Sequence, residues 1–290
     1  MRLYFAGAQT NFAFGILREL KYKNILQSYA YLQTDKKREE LKGLYKEGFK
    51  IFMDSGAFSV QGNIKVDSMD IKSYGGFLQK FGGYCNVAAN MDTGDIDSQV
   101  EKEKYLKSLG IKCTILPVFH QFETKYGRWD IFDKMLERSQ DIALGGIAAS
   151  TLTNERQQSF FDGVFRRWKE RGCKHRFHGF GITGINMLKR YPFYSVDSTT
   201  WLTGTKYGIV QIWDREYNRL RNIRVSSDFE GLKKYWKHLP DYPGEKRISR
   251  LLEGEHPARV RVLLSAIAYK QMEEYVSGLW KSRGVEYPDL

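Results

Sequence analysis

The chain has 290 residues, and 46 Lys and Arg against 34 Asp and Glu give it a formal net charge of +12. Hydrophobic residues make up 42% and aromatic ones 14%, with only six prolines, which excludes disordered, collagen-like and low-complexity chains and predicts a packed globule. The positive excess points to an anionic partner, nucleic acid being the commonest one for a soluble basic protein.

Taken in order, the amino terminus MRLYFAGA reads as a short strand rather than a signal peptide, and no run approaches the ~20 apolar residues of a membrane span. No membrane association is expected. Short apolar runs then recur, each followed by a turn and a helical pattern: KIFMDSG from 50, YCNVAANMD from 84, CTILPVFH from 113, DIALGGIA from 141, RFHGFGI from 176, FYSVDS from 193 and YGIVQIW from 207. With the first run these make eight strand candidates. Between them, segments 97–109, 154–170 and 184–190 repeat apolar residues at three- and four-residue spacing, which predicts amphipathic helices. The pattern Val260, Leu263, Leu264, Ile267, Met272, Tyr275, Val276 and Leu279 predicts a long core-facing helix near the end.

Continuous apolar strands joined by helical crossovers imply a parallel sheet, and eight units favour an α/β fold closed as a (β/α)8 TIM-type barrel. An open doubly wound sheet is the competitor, but no G-x-G-x-x-G opens a helix after the first strand. No Pro-, Gly- and Ser-rich linker interrupts the chain, so residues 1–290 are expected as one domain, with 214–290 its basic, mostly helical last part. Cys85, Cys113 and Cys173 are odd in number and form no C-x-x-C pair, which argues against a disulfide framework or a compact zinc site. A reducing, cytoplasmic setting is expected.

Parallel barrels carry their reacting groups at the carboxyl ends of strands. Here those ends read Asp54-Ser55-Gly56, Asn90-Met91-Asp92, Phe119-His120-Gln121, Gly145-Gly146, His178-Gly179-Phe180-Gly181 and Asp197-Ser198. Each aspartate by itself also suits a helix cap or turn, each histidine a structural role, and each glycine either a plain turn or the close approach of a flat ligand. Several carboxylates in one mouth repel one another unless they meet a cation or an electron-poor centre. Magnesium-assisted phosphate chemistry and glycosyl transfer through an oxocarbenium-like transition state both satisfy that demand, and spacing does not choose between them.

The strings themselves carry a resemblance. MDSGAFS at 53–59 resembles the DSGGFQ motif of tRNA-guanine transglycosylases, which exchange guanine for a 7-deazaguanine in RNA. In the same order, NMDTGD at 90–95 is similar to that family's base-recognition segment, LGGIAAS at 144–150 to its GGLAVG segment, HGFGITG at 178–184 to its MGVGTP segment, and SVDSTTW at 195–201 to its nucleophile segment. The likeness covers about residues 50–201. It implies that Asp197 attacks C1′ of the target nucleoside and that Asp54 is the general acid/base. Asp92 would read the N1 and amino edge of the purine, backbone N–H groups near Gly145 and Gly146 its O6, while Phe58 and His178 would sandwich the base. Ser55, His120 and Gly179 complete the implied substrate-binding set.

The departures are informative. The family's C-x-C-x-x-C zinc cluster has no counterpart, since no cysteine follows Cys173, so no zinc, other metal or cofactor is expected. His120-Gln121 stands in place of the family's V-Q-G string. These features resemble the compact, phage-type DNA-guanine transglycosylases, which place 7-deazaguanines such as preQ0 derivatives in DNA; a phage protein would work in the host cytoplasm. The implied partners are DNA, single-stranded or with its base extruded, and the free 7-deazaguanine. Ten Lys and Arg lie between Arg215 and Arg250 against five acids, and Arg215, Arg219, Arg221, Arg224, Lys233, Lys234 and Lys237 are the candidates for phosphate contact. A zinc-free tRNA-guanine transglycosylase, a catalytically silent nucleic-acid-binding barrel and a metal-dependent phosphoesterase are the other readings.

Overall fold

A computed structural model describes residues 1–56, 70–93, 96–146, 154–225 and 257–287. It contains a nine-stranded sheet formed by β1 (Arg2–Ala6), β2 (Asn24–Ser28), β3 (Lys50–Asp54), β4 (Val87–Ala89), β5 (Thr114–Leu116), β6 (Val118–His120), β7 (Asp141–Gly145), β8 (Arg176–Gly179) and β9 (Ser195–Ser198). The strand order is β5-β4-β3-β2-β1-β9-β8-β7-β6. Its two end strands are consecutive in the chain and flank Pro117, which has no N–H to give a ladder. The carbonyls on either side still serve both neighbours: Leu116 O accepts from Asn90 N at 2.8 Å and Pro117 O from Ala143 N at 2.9 Å. β5 and β6 are therefore one stave bent at a proline, and the sheet is the expected (β/α)8 TIM-type barrel.

The chain divides into two compact units, each made of separate segments. The larger comprises Lys23–Ile182 and Phe193–Asp197. Its parallel ladders pair β2 with β3, β3 with β4, β4 with β5, β6 with β7, β7 with β8 and β8 with β9. Its helices are α2 (Asp35–Lys46), α3 (Ile71–Phe81), α4 (Ile96–Ser108), α5 (Trp129–Arg138) and α6 (Asn154–Glu170). Starts follow local chemistry: the Asp70 carboxylate accepts from Lys72 N and Ser73 N and so caps α3. Buried Ile131, Phe132, Met135 and Leu136 on α5 form the inward stripe that its periodicity demands.

The smaller unit comprises Met1–Tyr22, Thr183–Pro192 and Ser198–Leu290. It carries α1 (Asn11–Glu19), α7 (Ile185–Arg190), α8 (Thr203–Tyr207), the long helix α9 (Pro257–Ser282) and an antiparallel hairpin of β10 (Ile209–Asp214) and β11 (Arg219–Arg224). The expected terminal helix is present, with Leu263, Leu264, Met272 and Val276 of its apolar stripe buried. Glu273 on α9 binds β1 directly, accepting from Leu3 N and from the Tyr22 hydroxyl at 2.8 Å each, and burial pushes its carboxyl above the usual range.

One expectation needs correction. The run from 207 is not a barrel stave: it forms β10, whose Val210 and Ile212 pack with Ile223, Val225 and Leu264 beneath α9. The stave it was expected to supply is β2, the segment NILQS, overlooked because lysines and polar residues frame only two adjacent aliphatic side chains. The basic last part, expected to be mostly helical, contains among its described residues both the strand Arg219–Arg224 and the 26-residue helix α9.

Candidate functional site

The acidic cluster belongs wholly to the larger unit. Side chains alternate along a strand, so Phe52 and Asp54 share one face of β3. The Phe52 ring lies against His178 of β8, with centroids 4.3 Å apart. His178 Nε2 in turn stands 3.3 Å from Asp197 Oδ1 on β9, and Gly181 N donates to the same oxygen at 2.9 Å. No contact engages Asp197 Oδ2 among the described residues.

On the other side, Ser55 Oγ donates to Asp92 Oδ1 at 3.1 Å, and His120 Nε2 is 2.8 Å from Asp92 Oδ2. His120 Nδ1 is buried and has no hydrogen-bond partner among the described residues. Gly145 makes this placement possible: a Cβ on it would come within 2.5 Å of His120 Cδ2. Gly146 has φ +76°, a conformation that favours glycine. Gly179 faces Phe193 and Ile182, each 3.0 Å from where its Cβ would sit.

Asp54 joins these halves. Gly56 N donates to its Oδ2 at 3.0 Å, across a turn in which Gly56 has φ +82°. Burial pushes the Asp54 carboxyl up to about 7, and the charges of Asp92 and Asp197 push the same way, against the stabilising Gly56 amide. Near neutral pH this group holds a proton for part of the time. The structure thus brings together Asp54, Ser55, Asp92, His120, His178 and Asp197. Among the described residues no three His, Cys, Asp or Glu side chains form a group able to hold a metal ion.

Other expected residues fall differently. Phe58, Lys233, Lys234 and Lys237 lie outside the described residues. His178 has a side chain only 1% exposed, covered by Phe52 and, edge-on, by Phe180, so its face is not open to sandwich a base. Its Nδ1 meets Ser195 Oγ at 2.9 Å. With that hydroxyl donating, the tautomer carries its proton on Nε2, facing Asp197. Ser195 was absent from the sequence reading, although its position two before Asp197 puts both on one face of β9. Arg215, Arg219, Arg221 and Arg224 belong to the hairpin of the smaller unit. Arg221 is paired with buried Asp214 at 2.7 Å, and Arg219 and Arg221 flank exposed Tyr217.

No protein-family model and no curated protein sequence matches the chain. Solved structures do match. One, described as "Native KDPGal structure", is 9% identical with a TM-score of 0.47, over 94% of this chain and 97% of that one. Another, described as "Structure of a cube-shaped, highly porous protein cage designed by fusing symmetric oligomeric domains", is 9% identical with a TM-score of 0.48, over 98% of this chain and 77% of that one.

Proposed function

We propose that the chain is a guanine transglycosylase that acts on DNA, exchanging guanine for a 7-deazaguanine base by double displacement. One observation supports this reading above the others: neighbouring carboxyl groups held in unlike environments. Asp54 is raised to about 7 and can deliver a proton near neutrality. Asp197 has Oδ1 held by the Gly181 N–H, with His178 Nε2 3.3 Å away, and Oδ2 is left unengaged among the described residues. An acid beside a positioned carboxylate is what exchange at a glycosidic carbon requires.

In the first displacement Asp197 Oδ2 attacks C1′ as the C1′–N9 bond breaks. Guanine departs with that bonding pair and takes the proton of Asp54. The Asp54 carboxylate then accepts a proton from the incoming base, whose ring nitrogen attacks C1′ and expels Asp197. Atoms and charge balance, and no water is consumed. Asp92 accepts from the N1–H and amino group of the purine, held for that task by Ser55 and His120. A guanine-like edge suits such an acceptor and an adenine-like edge does not. The Gly181 N–H fixes one oxygen of the nucleophile so that the other is presented, and His178 is a positioning residue packed 3.3 Å from the fixed oxygen.

Two outcomes follow. Gly145→Ala forces the His120 ring away from Asp92, and binding of a 7-deazaguanine base measured by calorimetry should weaken about tenfold; unchanged affinity would remove His120 from the recognition scheme. The function itself is tested by incubating the protein with a guanine-containing DNA strand and an isotope-labelled 7-deazaguanine, then hydrolysing to nucleosides for mass spectrometry. Label is expected in the DNA pool. Label only in a parallel tRNA reaction would assign the tRNA reading instead, and label in neither would overturn both.

A further inference from the structure

A cleft of about 500 Å³ opens at the turn after β6, its lining beginning with Gln121, one residue beyond the His120 that meets Asp92. Gln121, Lys125 and Trp129 line it from the turn after β6 and the start of α5, and Arg156, Ser159 and Phe160 from one face of α6. Gln121 is only 7% exposed, yet its amide makes no hydrogen bond among the described residues. Its amide is among the groups that line the cleft, where the polar atoms of a ligand can take up its hydrogen bonds. Lys125 Nζ likewise makes no ion pair or hydrogen bond among the described residues, nor does the indole N–H of Trp129.

The wall carrying these donors is built in. Trp129 packs against Gly163, where a Cβ would approach within 2.5 Å, and the Arg167 guanidinium lies 4.2 Å from its ring centroid. Thr124, also in the lining, spends its hydroxyl on the Gln121 carbonyl at 2.7 Å, which stiffens the turn. The same turn presents Phe122, 39% exposed, and Tyr126, 76% exposed. Lysine and arginine side chains beside exposed rings, with amide and indole donors between them, match a phosphate followed by a stackable base. A free inorganic anion has no use for the rings.

We infer that this cleft seats a nucleotide of single-stranded DNA flanking the target nucleotide, its phosphate between Lys125 and Arg156 and neighbouring bases against Phe122 and Tyr126. The inference deepens the transglycosylase reading and borrows from it only the identity of the strand. It also places phosphate contacts on the larger unit, where the charge count along the sequence pointed to the basic region after residue 214.

The test is fluorescence anisotropy with a labelled 12-nucleotide DNA strand across a series of salt concentrations, run without any 7-deazaguanine so that binding alone is read. Replacing both Lys125 and Arg156 by alanine should weaken binding roughly tenfold at 0.1 M salt and flatten the log–log salt slope by about 1.4, near 0.7 for each lost phosphate contact. Tyr126→Ala should weaken binding with the slope unchanged. Lys112→Ala with Lys174→Ala, at the amino ends of β5 and β8, removes the same charge and should leave the slope intact. Equal flattening by both pairs, or none by Lys125 and Arg156, would overturn the inference. So would inorganic phosphate competing as well as the strand. If the slopes behave as expected while no base exchange occurs, the cleft assignment stands and the transglycosylase reading fails; exchange with unaltered slopes gives the converse.

Discussion

Asp54→Asn is expected to make the protein more stable at about pH 8 while removing its ability to release a base. The folded carboxyl titrates at about 7 and the unfolded one near its ordinary value of 3.8. Below about pH 4 both states are protonated and the group has no effect. As pH rises from there to about 7, the unfolded chain loses its proton first, so the native state is penalised increasingly. Above that range the penalty is complete, on the order of 2–4 kcal/mol for a shift of this size. Asparagine cannot ionise and escapes it. Urea unfolding at about pH 8 should show the variant more stable by that order, with the difference shrinking to nearly nothing by about pH 4. Equal stability at both pH values would mean that Asp54 is not desolvated beside Asp92 and Asp197. For the unaltered protein, the rate of guanine release should fall as pH rises through about 7, because the departing base needs the proton.

Asp197→Asn is expected to lower base exchange by on the order of 10⁴-fold, a size seen when one member of a concerted catalytic group is removed. Asparagine keeps an oxygen to accept from Gly181 N–H, so the backbone turn that holds it should survive. What is lost is the anionic oxygen proposed to bond to C1′. Binding of the DNA strand should change little. A variant retaining exchange within tenfold of normal would show that another group attacks. Ser195→Ala, which removes the hydroxyl that orients His178, should by contrast slow exchange without abolishing it, and mainly through kcat rather than KM.

Much of the barrel could be read from residue order. Runs such as DIALG at 141–145 and RLYFA at 2–6 are buried and aliphatic or aromatic along most of their length, and such strands declare themselves. β2 did not, because its five residues include Asn24, Gln27 and Ser28, and burial of Gln27 and Ser28 comes from neighbours that a local pattern does not contain. The run from 207 misled for the opposite reason. Its strand residues are nearly all buried, as those of a stave are, and only the partner at Arg219–Arg224 tells a hairpin from a stave. The run from 113 read as one stave across Pro117, and the carbonyls of Leu116 and Pro117 do serve the neighbours on either side of it.

The acids of the site were legible because strand ends in this architecture converge, which makes position along the chain a proxy for position in space. Their supporting partners were not. A histidine after a strand looks the same whether it faces solvent or, like His178, lies beneath two phenylalanines with Ser195 at one nitrogen and Asp197 at the other. Gly181 appeared as a residue that spares space, whereas its contribution is a backbone N–H aimed at Asp197. The raised carboxyl of Asp54 depends on three chain segments meeting, at Asp54, Asp92 and Asp197, which no single segment encodes.

The most direct measurement is trapping of the sugar–enzyme bond. The protein is mixed with a guanine-containing DNA strand without an incoming base, quenched in denaturant and digested, and peptides that gain the mass of the strand less guanine are sequenced by fragmentation. One modified peptide is expected, bearing its ester on Asp197, more abundant at about pH 6 than at about pH 8 and absent from Asp197→Asn. An ester on another residue, or guanine released from the strand with no adduct at any pH, contradicts that assignment.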